Sequence, residues 1–157
     1  MAARGTAPPP LTVEVAKSPG PSQSWAAFRA ANFDVTDLRH SRFYGVDLRD
    51  SSLLGAKLTY ASWDYVDLSK ATMQSADLTR SRKGHASLTA VDLSNAKLRE
   101  VQWAVEGISL TKAILVKADL TGATLYDADL RGAKLDGVKL TGAKVDGARG
   151  LPPSFRP

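Results

Sequence analysis

Arg42, Arg82, Lys83 and His85, together with Tyr44 and Tyr126, are the residues of this chain whose types suit a contact surface. Guanidinium and ammonium groups attract phosphates or carboxylates, and rings beside them offer stacking area, so such a set could hold an acidic protein surface or a nucleic acid. Bond-making chemistry has less to stand on. The two histidines, His40 and His85, lie far apart in the chain, and neither a phosphate-cradling glycine loop nor a metal-ligand spacing accompanies them. No catalytic residue, metal or cofactor is therefore expected. The six residues matter only if the fold brings them to one surface.

What positions them is a period. Large apolar residues recur every five positions at Phe28, Phe33, Leu38, Phe43, Leu48, Leu53, Leu58, Trp63, Leu68, Met73 and Leu78, then at Leu88, Leu93, Leu98 and Trp103, with Lys83 the one charged centre of the series. After a gap of seven the same step resumes at Leu110, Leu115, Leu120, Leu125, Leu130, Leu135, Leu140 and Val145. Five fits neither the 3.6 of a helix nor the 2 of a strand, so each unit must be one short side of a coil that closes on itself and stacks. Two positions before most centres stands a small residue, as at Ala56, Ala61, Ala76, Ala118 and Ala128. The small and the large residue must share one interior.

The pattern A-(D/N)-L-x-x, intact at Ala31-Asn32-Phe33, Ala76-Asp77-Leu78, Ala118-Asp119-Leu120 and Ala128-Asp129-Leu130, resembles the pentapeptide-repeat family over residues 26–147. The resemblance implies an all-β fold, a right-handed four-sided parallel β-helix (a solenoid) of about six coils with four units to each. Phe28, Leu48 and Leu130 then share the first face, Phe33 and Leu93 the second, Leu38, Leu78 and Leu120 the third, and Phe43, Trp63 and Trp103 the fourth. At about 4.8 Å between coils the rod is on the order of 30 Å long.

Open solenoid ends expose core and unpaired backbone, so caps are expected. Residues 1–25 are Pro-rich and read as a tail, within which 11–15 alternate and could form a capping strand while Trp25 and Phe28 close the mouth; a disordered tail is the other reading. Gly and Pro stop the repeat after 147, leaving 148–157 as a C-terminal cap or tail with no helix expected.

Counting in fours aligns the residue before each centre into outer rows. The third row, Asp37, Lys57, Asp77, Lys97, Asp119 and Lys139, alternates in sign and should form a ladder of ion pairs, each worth about 0–1 kcal/mol. The fourth row, Arg42, Ser62, Arg82, Gln102, Thr124 and Lys144, has three bases and no acid. Both breaks in the repeat fall on this face: residues 81–85 around Lys83, and residues 104–107, which bridge a two-residue insertion after Trp103. An ammonium inside the rod is costly, so Lys83 is expected to turn outward, over a tryptophan face. Drift in a tolerant repeat or a basic, aromatic contact patch would each account for the irregularity. On the first face Asp47 lies beneath Asp67, with Arg49 and Lys70 to compensate in place of a cation; on the second, Leu54, Ile114 and Val116 point outward, the last two as a small apolar patch.

The chain has 157 residues, 43% of them hydrophobic, which suits one domain with one core. No apolar run nears the 18 or so residues of a membrane span, cysteine is absent, and a cytoplasmic location is expected, though the basic residues 1–24 also suit organelle targeting. The expected function is a rigid, non-enzymatic protein-binding or scaffolding module, monomeric or weakly dimeric, with another protein as partner and nucleic acid second. The family resemblance also implies an alternative, modulation of a gyrase-type DNA topoisomerase by DNA mimicry, protecting it from inhibitors. A formal net charge of +5 opposes that, since a DNA mimic needs an acidic surface. So does the lack of the C-terminal extension through which gyrase-protecting members usually pair.

Overall fold

The structure, a computed structural model, describes residues 12–14, 26–103 and 107–155, the first segment and residues 26–27 as backbone only. Short strands stack in parallel. The strands are β1 (Thr12–Glu14), β2 (Ala26–Ala27), β3 (Arg42–Tyr44), β4 (Val46–Asp47), β5 (Ser62–Asp64), β6 (Val66–Asp67), β7 (Arg82–Lys83) and β8 (Ala86–Ser87). One sheet runs β1-β3-β5-β7 and a second β2-β4-β6-β8. Single-residue bridges extend these as Arg82–Gln102–Thr124–Lys144 and Ser87–Ser109–Asp129–Arg149, and form two further ladders, Asn32–Ser52–Thr72–Asp92–Ile114–Lys134 and Asp37–Lys57–Asp77–Lys97–Asp119–Lys139. Four ladders make a four-sided parallel β-helix.

Backbone bonding follows the five-residue unit. A centre and the residue two beyond it donate to the next coil, as Leu53 N to Thr72 O at 2.7 Å and Gly55 N to Gln74 O at 2.9 Å, while the residue before a centre donates back, as Thr72 N to Ser51 O at 2.9 Å. At most corners the centre's carbonyl accepts the N–H three residues on, as Ala56 N to Leu53 O at 3.1 Å. The second residue after the centre has positive φ there, at Gly55 62° and Tyr60 60°, the geometry of a type II turn. Among the described residues fifteen non-glycine positions hold this strained conformation, the β-branched Val35 at 57° being one.

The Asp or Asn before so many centres has a local role. Its carboxylate or amide oxygen accepts the N–H two residues on, as Asn32 from Asp34 at 2.8 Å, Asp77 from Thr79 at 3.1 Å and Asp119 from Thr121 at 3.1 Å. This Asx turn satisfies a donor at each corner that the ladders leave over. It also corrects the expected ion-pair ladder of the third face. The residues align as anticipated, but Asp37 turns to Arg39, and the described ion pair between rungs is Lys97–Asp77 at 3.8 Å. A carboxylate committed to its own corner has less reach for the coil above.

Leu48, Leu78, Leu93, Leu120 and Leu130 are at most 1% exposed, Leu38, Phe43, Trp63 and Trp103 at most 4%. Phe28, expected in the core, is 37% exposed, because it stands in the first coil and its described ring contact is the edge of Phe33 at 6.1 Å. Phe33 is itself half-buried. At the other end a 3₁₀ turn, Pro153–Phe155, follows the repeat where no helix was expected, and Leu151 and Phe155 pack on the core. β1 lies against β3 with Thr12 opposite Arg42; the rest of segment 1–25, Trp25 included, is outside the described residues.

Lys83 does not turn outward. It is 5% exposed and keeps the interior position that register dictates, opposite Trp63 in the β5–β7 pairing and with its N–H on Gln102 O at 3.2 Å. An aliphatic stem can line an apolar column while its ammonium reaches a partner, and Lys83 does not lack one. On the second face Ile114 and Val116 are half-buried, and the exposed aliphatics are Leu54 at 42% and Val35 at 71%, joined by Val35 N to Leu54 O at 2.8 Å. Among the described residues no helix is long and apolar enough to cross a membrane.

Candidate functional site

The fourth face carries β3, β5 and β7 and is bounded by two corners at which aromatic side chains stack from coil to coil. Along the corner shared with the third face, His40 stacks on Tyr60, ring centres 5.1 Å apart and planes 3° from parallel. Arg80 reaches over Tyr60, 5.9 Å from its ring centre, donates from Nη1 to the phenol oxygen at 2.8 Å, and pairs through Nε with Glu100 at 2.7 Å. His40, Tyr60 and Arg80 each occupy the positive-φ position of their turn, which throws the side chain out at the corner. Glu100 and Tyr60 hold the Arg80 guanidinium more firmly protonated than usual, and Arg80 holds the Glu100 carboxyl below its ordinary value.

Along the corner shared with the first face, Tyr65 stacks on His85 at 4.7 Å and 8°, and Tyr44 meets Tyr65 edge-on at 5.5 Å. Asp64 accepts the His85 backbone N–H at 3.1 Å and lies 3.5 Å from its Nδ1. This corner is built differently from the other three. In the first three coils only one or two bend residues part the strands that meet there, and no turn hydrogen bond links residues 43 and 46, 63 and 66 or 83 and 86; farther along, Ala128 N to Leu125 O at 3.2 Å and Ala148 N to Val145 O at 2.9 Å restore the regular turn. Behind the open corner the core is large and flat, Phe43 and Trp63 stacking at 4.4 Å. A groove of about 590 Å³ runs along it, lined by Tyr65, His85, Lys83, Val66, Ser87 and Arg49 among others.

On the first face Arg49 settles the Asp47–Asp67 pair. It donates to both oxygens of Asp47, at 2.8 Å from Nε and 2.5 Å from Nη2, and stands 3.7 Å from Asp67. Its hydrogen bonds hold the Asp47 carboxyl below the usual carboxylate range, with Arg29, rather than Lys70, adding charge from the other side. Among the described residues no group of three or more His, Asp or Glu could hold a metal ion.

Of the six residues anticipated from sequence, Arg42 and Arg82 are exposed in one row with Ser62 between them, and neither makes an ion pair among the described residues. Tyr44 and His85 meet in one column through Tyr65. Lys83 is buried beneath that column, and Tyr126, half-buried, stands beyond the insertion with no described ring contact to it. Tyr60, Tyr65, His40, Arg80 and Asp64 were missed. A signal was present: Tyr44, Tyr60, Tyr65 and Tyr126, with both histidines, all fall one or two places after centres of the third or fourth face.

Pentapeptide repeats, in 8 copies, match residues 24–53, 51–82 and 106–149. No curated protein shows significant sequence similarity to the chain. Among solved structures it is similar to Rfr23, a pentapeptide repeat protein from the cyanobacterium Cyanothece 51142, at 26% identity over 68% of this chain and 62% of that one, with a TM-score of 0.38. The matched part thus spans less than two thirds of Rfr23. HetL, a pentapeptide repeat protein involved in heterocyst differentiation regulation in Nostoc sp. strain PCC 7120, is 23% identical over 78% of this chain and 82% of its own, TM-score 0.37. Full-length QnrB1, a plasmid-mediated fluoroquinolone resistance protein, is 18% identical over 73% and 79%, TM-score 0.36. With the five-residue period realised as four parallel ladders and the repeats matched over more than half of its length, the chain belongs to the pentapeptide-repeat family.

Proposed function

We propose that this protein is a rigid, non-enzymatic binding module that holds another protein on its fourth face, through Arg42, Tyr44, Tyr60, Tyr65, Arg82 and His85. The observation that carries this reading is the gathering of Tyr44, Tyr60, Tyr65, His40 and His85 at the edges of one face, with Arg42 and Arg82, neither ion-paired among the described residues, between them. Tyr and Arg dominate the energetics of protein interfaces, whereas Lys is depleted there. Elsewhere the exposed bases mix lysines with Arg29, Arg39, Arg99, Arg131 and Arg149, and of these arginines Arg29, Arg39 and Arg131 are already engaged by Asp carboxylates. The rings are also held in place before any partner arrives, Tyr60 by His40 and Arg80, Tyr65 by Tyr44 and His85, so little side-chain freedom is lost on binding. A DNA mimic would need a continuous acidic face in this place.

The test is a cross-linked pull-down from the native host comparing the wild type, an Arg42→Glu/Arg82→Glu variant and a Lys134→Glu/Lys139→Glu control. A partner kept by the wild type and the control but lost by the fourth-face variant is expected. Identical profiles for all three would overturn the assignment of this face.

A further inference from the structure

We infer that the partner of the fourth face is an acidic α-helix lying along the rod axis, with carboxylates seven residues apart on Arg42 and Arg82. This rests on the reading of the fourth face as the contact surface and adds the chemistry and shape of what it holds.

The spacing supplies the argument. Arg42, Ser62 and Arg82 follow one another in parallel register, so the two arginines stand two strand spacings apart, about 9.6 Å along the rod. Residues i and i+7 of a helix share a face and are about 10.5 Å apart along its axis. An extended strand presents same-side residues about 6.7 Å or 13.4 Å apart, and neither lines up with the two guanidiniums. The uncharged Ser62 faces the intermediate turn. The stacked columns led by Tyr60 and Tyr65 border the row on either side and offer apolar edges to the flanks of a helix.

Charge favours discrete carboxylates over a nucleic acid. Arg42 and Arg82 are the cations of this stretch of the row, with Lys144 farther along; Asp64, 44% exposed, stands at its edge, while the Glu100 carboxylate is offset by Arg80. A strand of phosphates carries a charge about every 3.4 Å, more than two guanidiniums two coils apart can meet, and would be driven against Asp64, whereas a helix acidic at two-turn intervals matches the two cations.

The experiment measures fluorescence anisotropy of labelled helical peptides on the full chain. One peptide has Glu at i and i+7; an isomer of the same composition has them at i and i+2; a third has Lys at i and i+7; short single-stranded DNA is the competitor. The i/i+7 peptide should bind the wild type about tenfold more tightly than its isomer, lose about tenfold on the Arg42→Glu/Arg82→Glu variant, and be replaced there by the Lys peptide. Equal binding of the two Glu isomers, or displacement of the peptide by DNA at lower concentration than by unlabelled peptide, overturns the inference. If the isomers bind equally while the pull-down still depends on Arg42 and Arg82, the surface stands and the helical partner falls; if neither depends on them, both fall.

Discussion

Lys83 follows Trp63 in the parallel register of β5 and β7, and both are interior, at 5% and 2% exposure. An ammonium therefore occupies a place that an apolar centre fills in nearly every other unit. Removing one member of a buried polar contact leaves the other unsatisfied, whereas an acid there also reverses the sign that the groups holding the ammonium meet. Lys83→Met, which keeps the apolar stem and loses only the ammonium's contact, should cost less than Lys83→Glu, which should cost about 3 kcal/mol or more, read by chemical denaturation.

Arg42→Glu and Arg82→Glu should behave differently from changes at Lys83. Both arginines are exposed and without ion pairs among the described residues, so the double variant should keep the wild-type denaturation midpoint, with a stability change within about 0.5 kcal/mol. Any loss of binding by this variant is then a property of the surface and not of unfolding.

Corner geometry makes two opposite predictions. Val35 is β-branched, 71% exposed and held at φ 57°, so Val35→Gly should raise stability by about 1 kcal/mol. Gly150 has φ 85°, and a Cβ there would come within 2.5 Å of the Arg131 nitrogen and the Leu130 carbonyl carbon. Gly150→Ala should cost about 2 kcal/mol or more, a clash with backbone adding to the strain of the left-handed conformation. Thermal melts of the two variants check both signs.

Acid should weaken the rod at its Asx corners. Arg39 and Arg131 hydrogen bond to Asp37 and Asp129 and hold them at about 2, below the ordinary 3.8, and Asp47 is lowered by Arg49 in the same way. A carboxyl whose folded value is depressed adds stability above its unfolded value and loses it as pH falls through the folded one. The melting temperature should therefore be flat down to about pH 4 and fall between about 4 and 2. Asp47→Asn should make that fall shallower, since the amide oxygen still accepts the Arg49 N–H without titrating.

The Asx turns can be tested apart from charge. Asp119→Ala removes the acceptor for Thr121 N and Oγ1, at 3.1 and 2.6 Å, and should cost about 1 kcal/mol; Asp119→Asn keeps an acceptor and should cost less.

The four-sided architecture and the columns from Leu38 to Leu130 were legible because a five-residue period leaves the chain few ways to bury its centres. The charged rows were legible as alignments but not as bonds. Asp37 and Lys57 do fall in one ladder, yet the pull of Asp37 toward Arg39 depends on turn geometry that the period alone does not state. The aromatic columns escaped for a related reason. Tyr60 and Tyr65 occupy the residue two beyond a centre, whose direction is set by a positive φ, so counting the residue before each centre passes them by. Lys83 was misjudged because the cost of burying a charge was weighed without the register that holds its backbone among the interior centres.

Ladder steps of 20 residues below the insertion become 22 across it, from Asp92 to Ile114 and Lys97 to Asp119, and return to 20 above, from Ile114 to Lys134 and Asp119 to Lys139. The two added residues thus fall between Trp103 and Ile108 in the chain, and the ladders on either side of them keep their register. A rod made this way has one seam. Chain length can change along the seam, and a graft placed there should leave every column of the interior where it was.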